Sequence, residues 1–294
     1  MTAYLAAMLI LAGIYCLLAL GLNLQWGYTG LINFGHVGFF AIGAYTSALL
    51  TTQLAWPIPA GFLAALILAG ASAYPLGLVS IRLRTDYLAI VTLGFSEVVR
   101  AVLVNERWLT KGTQGLSYIP RPFGQLPTGL SEIAYLALVL GVSGAAFWIV
   151  RRLGRSPFGR TLEAIRENEE AAQSLGKYVA SFKIRSFVIG AAIAGAAGAL
   201  YAHYINYVVP EQFLPLVTFY VWMAVILGGS GSNRGVILGT LVLMLFLEGS
   251  RFAKDFIPFV SDVKLAALRF MAVGLGLILL LLYRPQGILG RKDI

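Results

Sequence analysis

Glu167, Asn168, Glu169 and Glu170 crowd into ENEEAAQSLG (167–176), within a chain that is 59% apolar with a mean hydropathy of +0.80. Side chains of this kind stay in water, so the stretch must meet either solvent or a polar partner. Two further groups place polar chemistry where lipid is expected. Glu97 and Arg100 in LGFSEVVR stand three apart, close enough on one helix to neutralise each other. Either one alone would cost about 2.5–3.5 kcal/mol at the centre of a span. They read as the polar lining of a substrate path or as an ion pair that pins its helix. Glu248 and Arg251 are spaced likewise, and Arg269 has no local partner and must find one across the bundle. The third group is GLINFGHVGFFAIGAY (30–45), where Asn33, Phe34, Gly35, His36 and Gly38 are poor material for a lipid-facing helix. Backbone freed by a broken helix has to line a cavity or be buried in protein. That stretch reads as a pathway or gate segment, with a close-packed buried helix as the alternative.

Other chemistry is missing. No GxxxxGK[ST] phosphate loop occurs, and LGGSGSNRG (227–235) lacks the lysine and reads as a tight turn between two spans. His36 and His203 are far apart, with no HExxH and no carboxylate cluster, so no catalytic residue and no metal site is assigned. The single Cys16 forms no intrachain disulfide. No chain of carboxylates resembles a proton relay. The chain does not read as an enzyme.

The elements that must hold these groups are membrane spans. Only 12% of residues are charged, about half the usual share of a soluble domain, and several apolar runs approach the length of roughly 20 residues that crosses a bilayer. The fold class is an all-α polytopic integral membrane protein. It forms a single transmembrane domain over 1–294, with about nine helices (eight to ten). Spans are expected at 3–22, 30–50, 58–80, 87–106, 131–150, 184–203, 214–229, 235–250 and 265–283. The first is a retained span, not a cleaved signal. Trp26, Trp56, Trp108 and Trp148 fall at span ends as interfacial anchors, while Trp222 has no reading beyond packing. In FVIGAAIAGAAGALY the pairs Ala191/Gly195 and Ala194/Gly198 would let helices approach closely.

The net charge of +9 reflects cationic loops, not nucleic acid. Fourteen lysines and arginines fall in the connections after the third, fifth and seventh spans and at the C-terminus, against six on the other side. This bias places loop 151–183 and the C-terminus in the cytoplasm and the N-terminus outside. Loop 151–183 carries a helix over 157–176, with Ser156 as N-cap, Pro157 at the first turn and Gly176 as the left-handed stop. Phe158, Leu162, Ile165, Ala172 and Leu175 form an apolar stripe, and Glu163/Arg166 and Arg166/Glu170 are spaced to pair. Such a stripe suits a groove on a protein partner. The alternative is an interfacial helix lying on the bilayer, which would want more cations and bulkier anchors than EAIRENEEAA offers.

EAAQSLG (170–176) resembles the EAA-x-x-x-G signature of ABC-importer permeases, whose loop docks into a cleft on an ATPase. The fuller signature continues with I-x-L-P, where Ser186-Phe187-Val188 stand in this chain. NFGHVGFFAIGAYTSALL, TDYLAIVTLGFSEVVR, GRTLEAIRENEEAAQSLG, ILGGSGSNRGVILG and YRPQGILG together are similar to the LivM-type branched-chain amino acid permeases of bacterial ABC uptake systems. The resemblance implies import of branched-chain or other small neutral amino acids across the bacterial inner membrane. It implies a LivH-type homologous permease as dimer partner, two cytoplasmic ATP-binding subunits and a periplasmic substrate-binding protein, all around a subunit embedded in the lipid bilayer. It further implies that this chain holds no cofactor, with ATP and Mg2+ on the partner ATPases. Glu163, Arg166, Glu169, Glu170, Ala171, Ala172, Leu175 and Gly176 would couple to them. Related permeases carry urea, short amides or sugars. Readings from other classes are an ATPase-independent channel or ion-coupled carrier, and a membrane scaffold.

Overall fold

The computed structural model describes residues 2–80, 83, 85–249, 267, 271–272, 274–276, 278–279, 282–283 and 286–290. Arg251 and Arg269, and much of the span expected at 265–283, lie outside the described residues. The chain folds as helices: α1 (Thr2–Leu22), continued by a π-helical turn at Asn23–Tyr28, then α2 (His36–Thr52), α3 (Ile58–Ser80), α4 (Thr85–Asn105) and the short α5 (Arg107–Thr110). After these come α6 (Thr128–Arg155), α7 (Pro157–Glu167), α8 (Glu169–Ser174), α9 (Val179–Ile205), α10 (Pro215–Gly228) and α11 (Asn233–Gly249). A two-residue antiparallel ribbon, β1 (Leu116–Ser117) with β2 (Tyr207–Val208), ties the α5–α6 connection to the end of α9.

Five segments among the described residues are long and apolar enough to cross a membrane: Tyr4–Tyr28, Ile58–Val79, Asp86–Asn105, Gly129–Arg155 and Val179–Ile205. α10 is apolar but shorter. The protein is thus a multi-pass membrane protein of the all-α class, and five spans stand clear among the described residues where about nine are expected.

The shortfall has a local cause in the second expected span. Helix α2 begins at His36, not at residue 30. Gly30, at φ 76°, ends the π-helical turn, and the N–H groups of Gly30 and Leu31 bond back to the carbonyls of Trp26 and Gln25. Glycine takes this left-handed conformation without a Cβ clash. Residues 31–35 then pass through the interior as irregular chain.

Helix α9 is the axis of the bundle, flanked by α1, α2 and α3. Ala191, Ala194, Gly195 and Gly198 are buried on it. A Cβ added at Gly198 would fall 2.1 Å from the Phe40 carbonyl oxygen, and one at Gly195 only 2.5 Å from the Ala69 Cβ. The small residues therefore bring α2 and α3 to backbone contact with α9, as their spacing implies. Phe39, Phe40, Phe187 and Phe213 fill the space that remains. The partly buried Trp26 ring packs 4.4 Å from that of Trp222.

Candidate functional site

The helix expected over 157–176 is two helices. Ser156 caps α7 through the N–H of Gly159, with Pro157 in its first turn. The chain breaks at extended Asn168, whose Oδ1 accepts from the Ala171 N–H 2.9 Å away and starts α8. Gly176, at φ 75°, stops α8. Its N–H bonds the Gln173 carbonyl while that of Lys177 bonds the Ala172 carbonyl, the paired closure of a Schellman motif.

The apolar stripe does not await a partner. Leu162 packs with Leu24, Tyr28 and Val150, against Phe158 and Phe182. Ile165 and Ala172 pack with Val179. The stripe fixes α7 and α8 to this chain's own spans. Leu175 departs from it and is 81% exposed, because the helix has already ended there. Lys183 of α9 reaches both carboxylate oxygens of Glu169 at 2.7 Å and clamps α8 in place. Glu170, Ala171, Gln173, Leu175 and Gly176 are left facing outward.

Arg166 also departs from its expected pairing with Glu170, since the break at Asn168 interrupts the register between them. Its guanidinium turns inward and donates to the Gly27 carbonyl at the end of the π-helical turn. Gly30 lies flat against its stem: a Cβ there would sit 3.3 Å from the Arg166 Cγ. Beside them, the tight turn between α10 and α11 is held by Asn23, whose Oδ1 accepts from the Gly231 N–H at 2.9 Å. The Asn23 amide donates to Asn233 Oδ1 at 2.9 Å.

Asn33 and His36 are completely buried. The Asn33 amide donates to Gln25 Oε1 at 2.8 Å, and its Oδ1 accepts from the Gly35 N–H at 3.0 Å. His36 Nε2 donates to the Leu18 carbonyl at 3.1 Å, which leaves Nδ1 as an acceptor 3.4 Å from the Asn33 amide. The Trp222 indole donates to the Asn33 carbonyl at 3.0 Å, giving that side chain a role beyond packing. The N–H groups exposed by the break are capped from elsewhere, Phe34 by Thr92 Oγ1 and Val37 by Thr218 Oγ1. Gly35 lies against the Thr92 backbone and Gly38 against Phe95 and Ser96. Of these pathway candidates Phe34 is the more open, its ring meeting Phe219 and Trp222 at 5.4 and 5.2 Å.

Glu97 and Arg100 do form their ion pair, with Arg100 Nη2 and Nε 2.8 and 3.0 Å from one Glu97 oxygen. The side chains are 40% and 35% exposed, in the second half of α4. An apolar cavity of about 500 Å³ lies among α3, α6, α9 and residues 122–123. Its polar side chains are already committed within the fold: Tyr135 donates to the Leu200 carbonyl, and His203 bonds Ser47 and Pro120. It offers nothing to a zwitterion.

Gln25, Asn23, Thr218 and Asn233 were not singled out by sequence reasoning. The amides of Asn23 and Gln25 at the tail of an apolar run were the available signal, whereas Thr218 and Asn233 carried none. Residues 286–290, the end of YRPQGILG, also find a place. The N–H groups of Ile288 and Leu289 bond the carbonyls of Leu227 and Gly228, closing the end of α10.

Residues 4–283 match a family model described as branched-chain amino acid transport system / permease component. The chain belongs to the branched-chain amino acid permease family. It is 38% identical over 303 residues to the high-affinity branched-chain amino acid transport system permease protein LivM of Salmonella typhimurium, covering 94% of this chain and 68% of that relative. It is 28% identical over 320 residues to the probable branched-chain amino acid transport permease protein LivM of Methanocaldococcus jannaschii, covering 96% and 92%. The permease protein LivH of the Salmonella system is also similar, 29% identical over 304 residues and covering 97% and 94%. No solved structure matches this chain.

Proposed function

We propose that the chain is one transmembrane subunit of an ABC importer that moves branched-chain or other small neutral amino acids into the cytoplasm. In this reading nine spans put α7–α8 and the C-terminus in the cytoplasm and the N-terminus outside, within the bacterial inner membrane. A LivH-type permease completes the pathway, an extracytoplasmic binding protein delivers the substrate, and two ATPase subunits hold ATP and Mg2+. The similarity of this chain to relatives named LivM and to one named LivH supports a pairing of homologous subunits. The relatives' names support a branched-chain substrate over urea, amides or sugars.

The observation that carries the reading is the way α7–α8 is mounted. An amphipathic insertion lying on a bilayer would turn its apolar stripe to lipid. This one buries the stripe within its own chain and presents Glu170, Ala171, Gln173, Leu175 and Gly176 outward on a capped, clamped element. That is a capped, clamped handle whose outward face mixes Glu170 and Gln173 with exposed Ala171 and Leu175, a surface that suits docking to a protein partner. Glu97 and Arg100 support a path along the face of α4. A half-exposed ion pair within the span is costly against lipid, and it is accommodated by water in the pathway or by the partner permease.

Replacing Glu170 by Lys should leave the chain inserted and the fold intact, because that side chain is exposed. Gly176→Trp enters open space and should leave the chain inserted, at a local cost of about 1–2 kcal/mol for a side chain at the left-handed stop of α8. Uptake of labelled leucine and substrate-stimulated ATP hydrolysis by the reconstituted system should be lost. Normal uptake by both variants would remove the coupling assignment.

A further inference from the structure

We infer that Arg166 is the strut by which the α7–α8 handle moves the interior of the bundle, and that it does so without touching the ATPase. The inference rests on the coupling reading and adds the route by which motion enters the pore. Arg166 lies on α7, yet its Nη1 turns inward and donates to the Gly27 carbonyl. The last carbonyls of a helix lack intrahelical partners and carry the negative end of its dipole, so a cation there is well placed. Gly30, one turn on, packs against the Arg166 stem, and a Cβ at Gly231 would lie 3.5 Å from Arg166 Nη1. One side chain therefore abuts both irregular segments at that end of the bundle, the one leaving the first span and the one joining α10 to α11.

Both segments lead to the same buried place. From Gly30 the chain runs directly to Asn33, whose side chain orders Gln25, Gly35 and His36. From Gly231 it runs back along α10 to Trp222, whose indole bonds the Asn33 carbonyl. A shift of α7 is thus delivered to the start of α2 along two mechanical lines. Close packing transmits displacement in this way because the interior has no slack, and the side-chain amides of Asn23, Gln25 and Asn33 along the route are already engaged. Arg166 is a positioning residue in this scheme.

The test uses the whole complex in proteoliposomes and reads leucine transported per ATP hydrolysed. Arg166→Met keeps the stem and removes the donor, while Arg166→Lys keeps a cationic donor. With Arg166→Met the ATPase subunits should still copurify and still hydrolyse ATP, while transport per ATP falls about tenfold, a typical size for an allosteric coupling. Arg166→Lys should recover most of the ratio. A loss of stability alone would lower the amount of complex but not this ratio. An unchanged ratio in Arg166→Met would overturn the strut. So would failure of that variant to bind ATPases that the unaltered chain binds, because it would place Arg166 at the docking surface. If the unaltered chain itself bound no ATPase, the coupling reading would fall and take the strut with it.

Discussion

Two asparagines break the helical course of this chain, and they do it under opposite conditions. Asn168 sits at the surface between α7 and α8, and Asn33 sits in the interior between the first span and α2. Each turns its side-chain oxygen onto a backbone N–H a few residues ahead, Ala171 in one case and Gly35 in the other. At the surface that one bond suffices, because water serves whatever else the break exposes. In the interior no water is at hand, and the break is supported by Gln25, His36, Thr92, Thr218 and Trp222, drawn from four separate stretches of chain. The same local device is cheap where solvent reaches it and demanding where it does not. Within a membrane, irregular backbone persists only where it is buried in protein that supplies partners or where it lines a water-filled cavity.

The contrast is broken most directly at Asn33. Replacing it by Leu removes a donor and an acceptor while leaving the Gly35 N–H and Gln25 Oε1 buried without partners. Each orphan costs about 1–3 kcal/mol, and both fall on one joint. We expect the variant to be recovered from membranes in greatly reduced amount, with a thermal midpoint well below that of the unaltered protein in the same detergent. A near-native midpoint would mean that the interior joint tolerates loss of its polar network, and the comparison would collapse.

Thr218→Val sharpens the same point with one hydrogen bond. The side chain is 1% exposed and nearly the same size as valine, so packing is conserved and only the acceptor for the Val37 N–H is lost. The expected cost is about 1–3 kcal/mol, seen as an intermediate drop in thermal midpoint, with Thr218→Ser close to the unaltered protein. If Val and Ser behave alike, the hydroxyl is not the relevant group.

These two positions also show what the sequence discloses. Asn33 and His36 were visible as polar residues in an apolar run, and glycine spacing marked the segment as irregular. Nothing in the sequence distinguished a pathway wall from a packed joint, because that depends on partners far along the chain, such as Trp222 and Gln25. Thr218 was invisible, since a threonine among apolar residues is ordinary. The handle was legible in its caps and its stripe, all local patterns. What the stripe packs against was not, because the surfaces that cover it belong to α6, α9 and the tail of α1. The spans read most clearly where one helix crosses alone, as with α3 and α9. They blurred where the chain starts α2 only after the irregular stretch that ends at Gly35.

The smallest effect is expected at Asn168→Ala. The substitution removes the N-cap of α8, a change that costs about 1 kcal/mol in helices generally. Here Ala172 stays buried against Ile165 and Val179, and the Lys183–Glu169 clamp remains. The bundle is therefore not involved, and the global thermal midpoint should hardly move. The effect should be local, seen as hydrogen exchange at the Ala171 amide about fivefold faster than in the unaltered protein. Exchange at Gly35, whose N–H is held by the other asparagine, should not change. A midpoint lowered as far as that of Asn33→Leu would show that the handle is part of the bundle's cooperative core. Local fraying alone would show that it is a separately stabilised element, one that a partner can grip and displace while the spans stay folded.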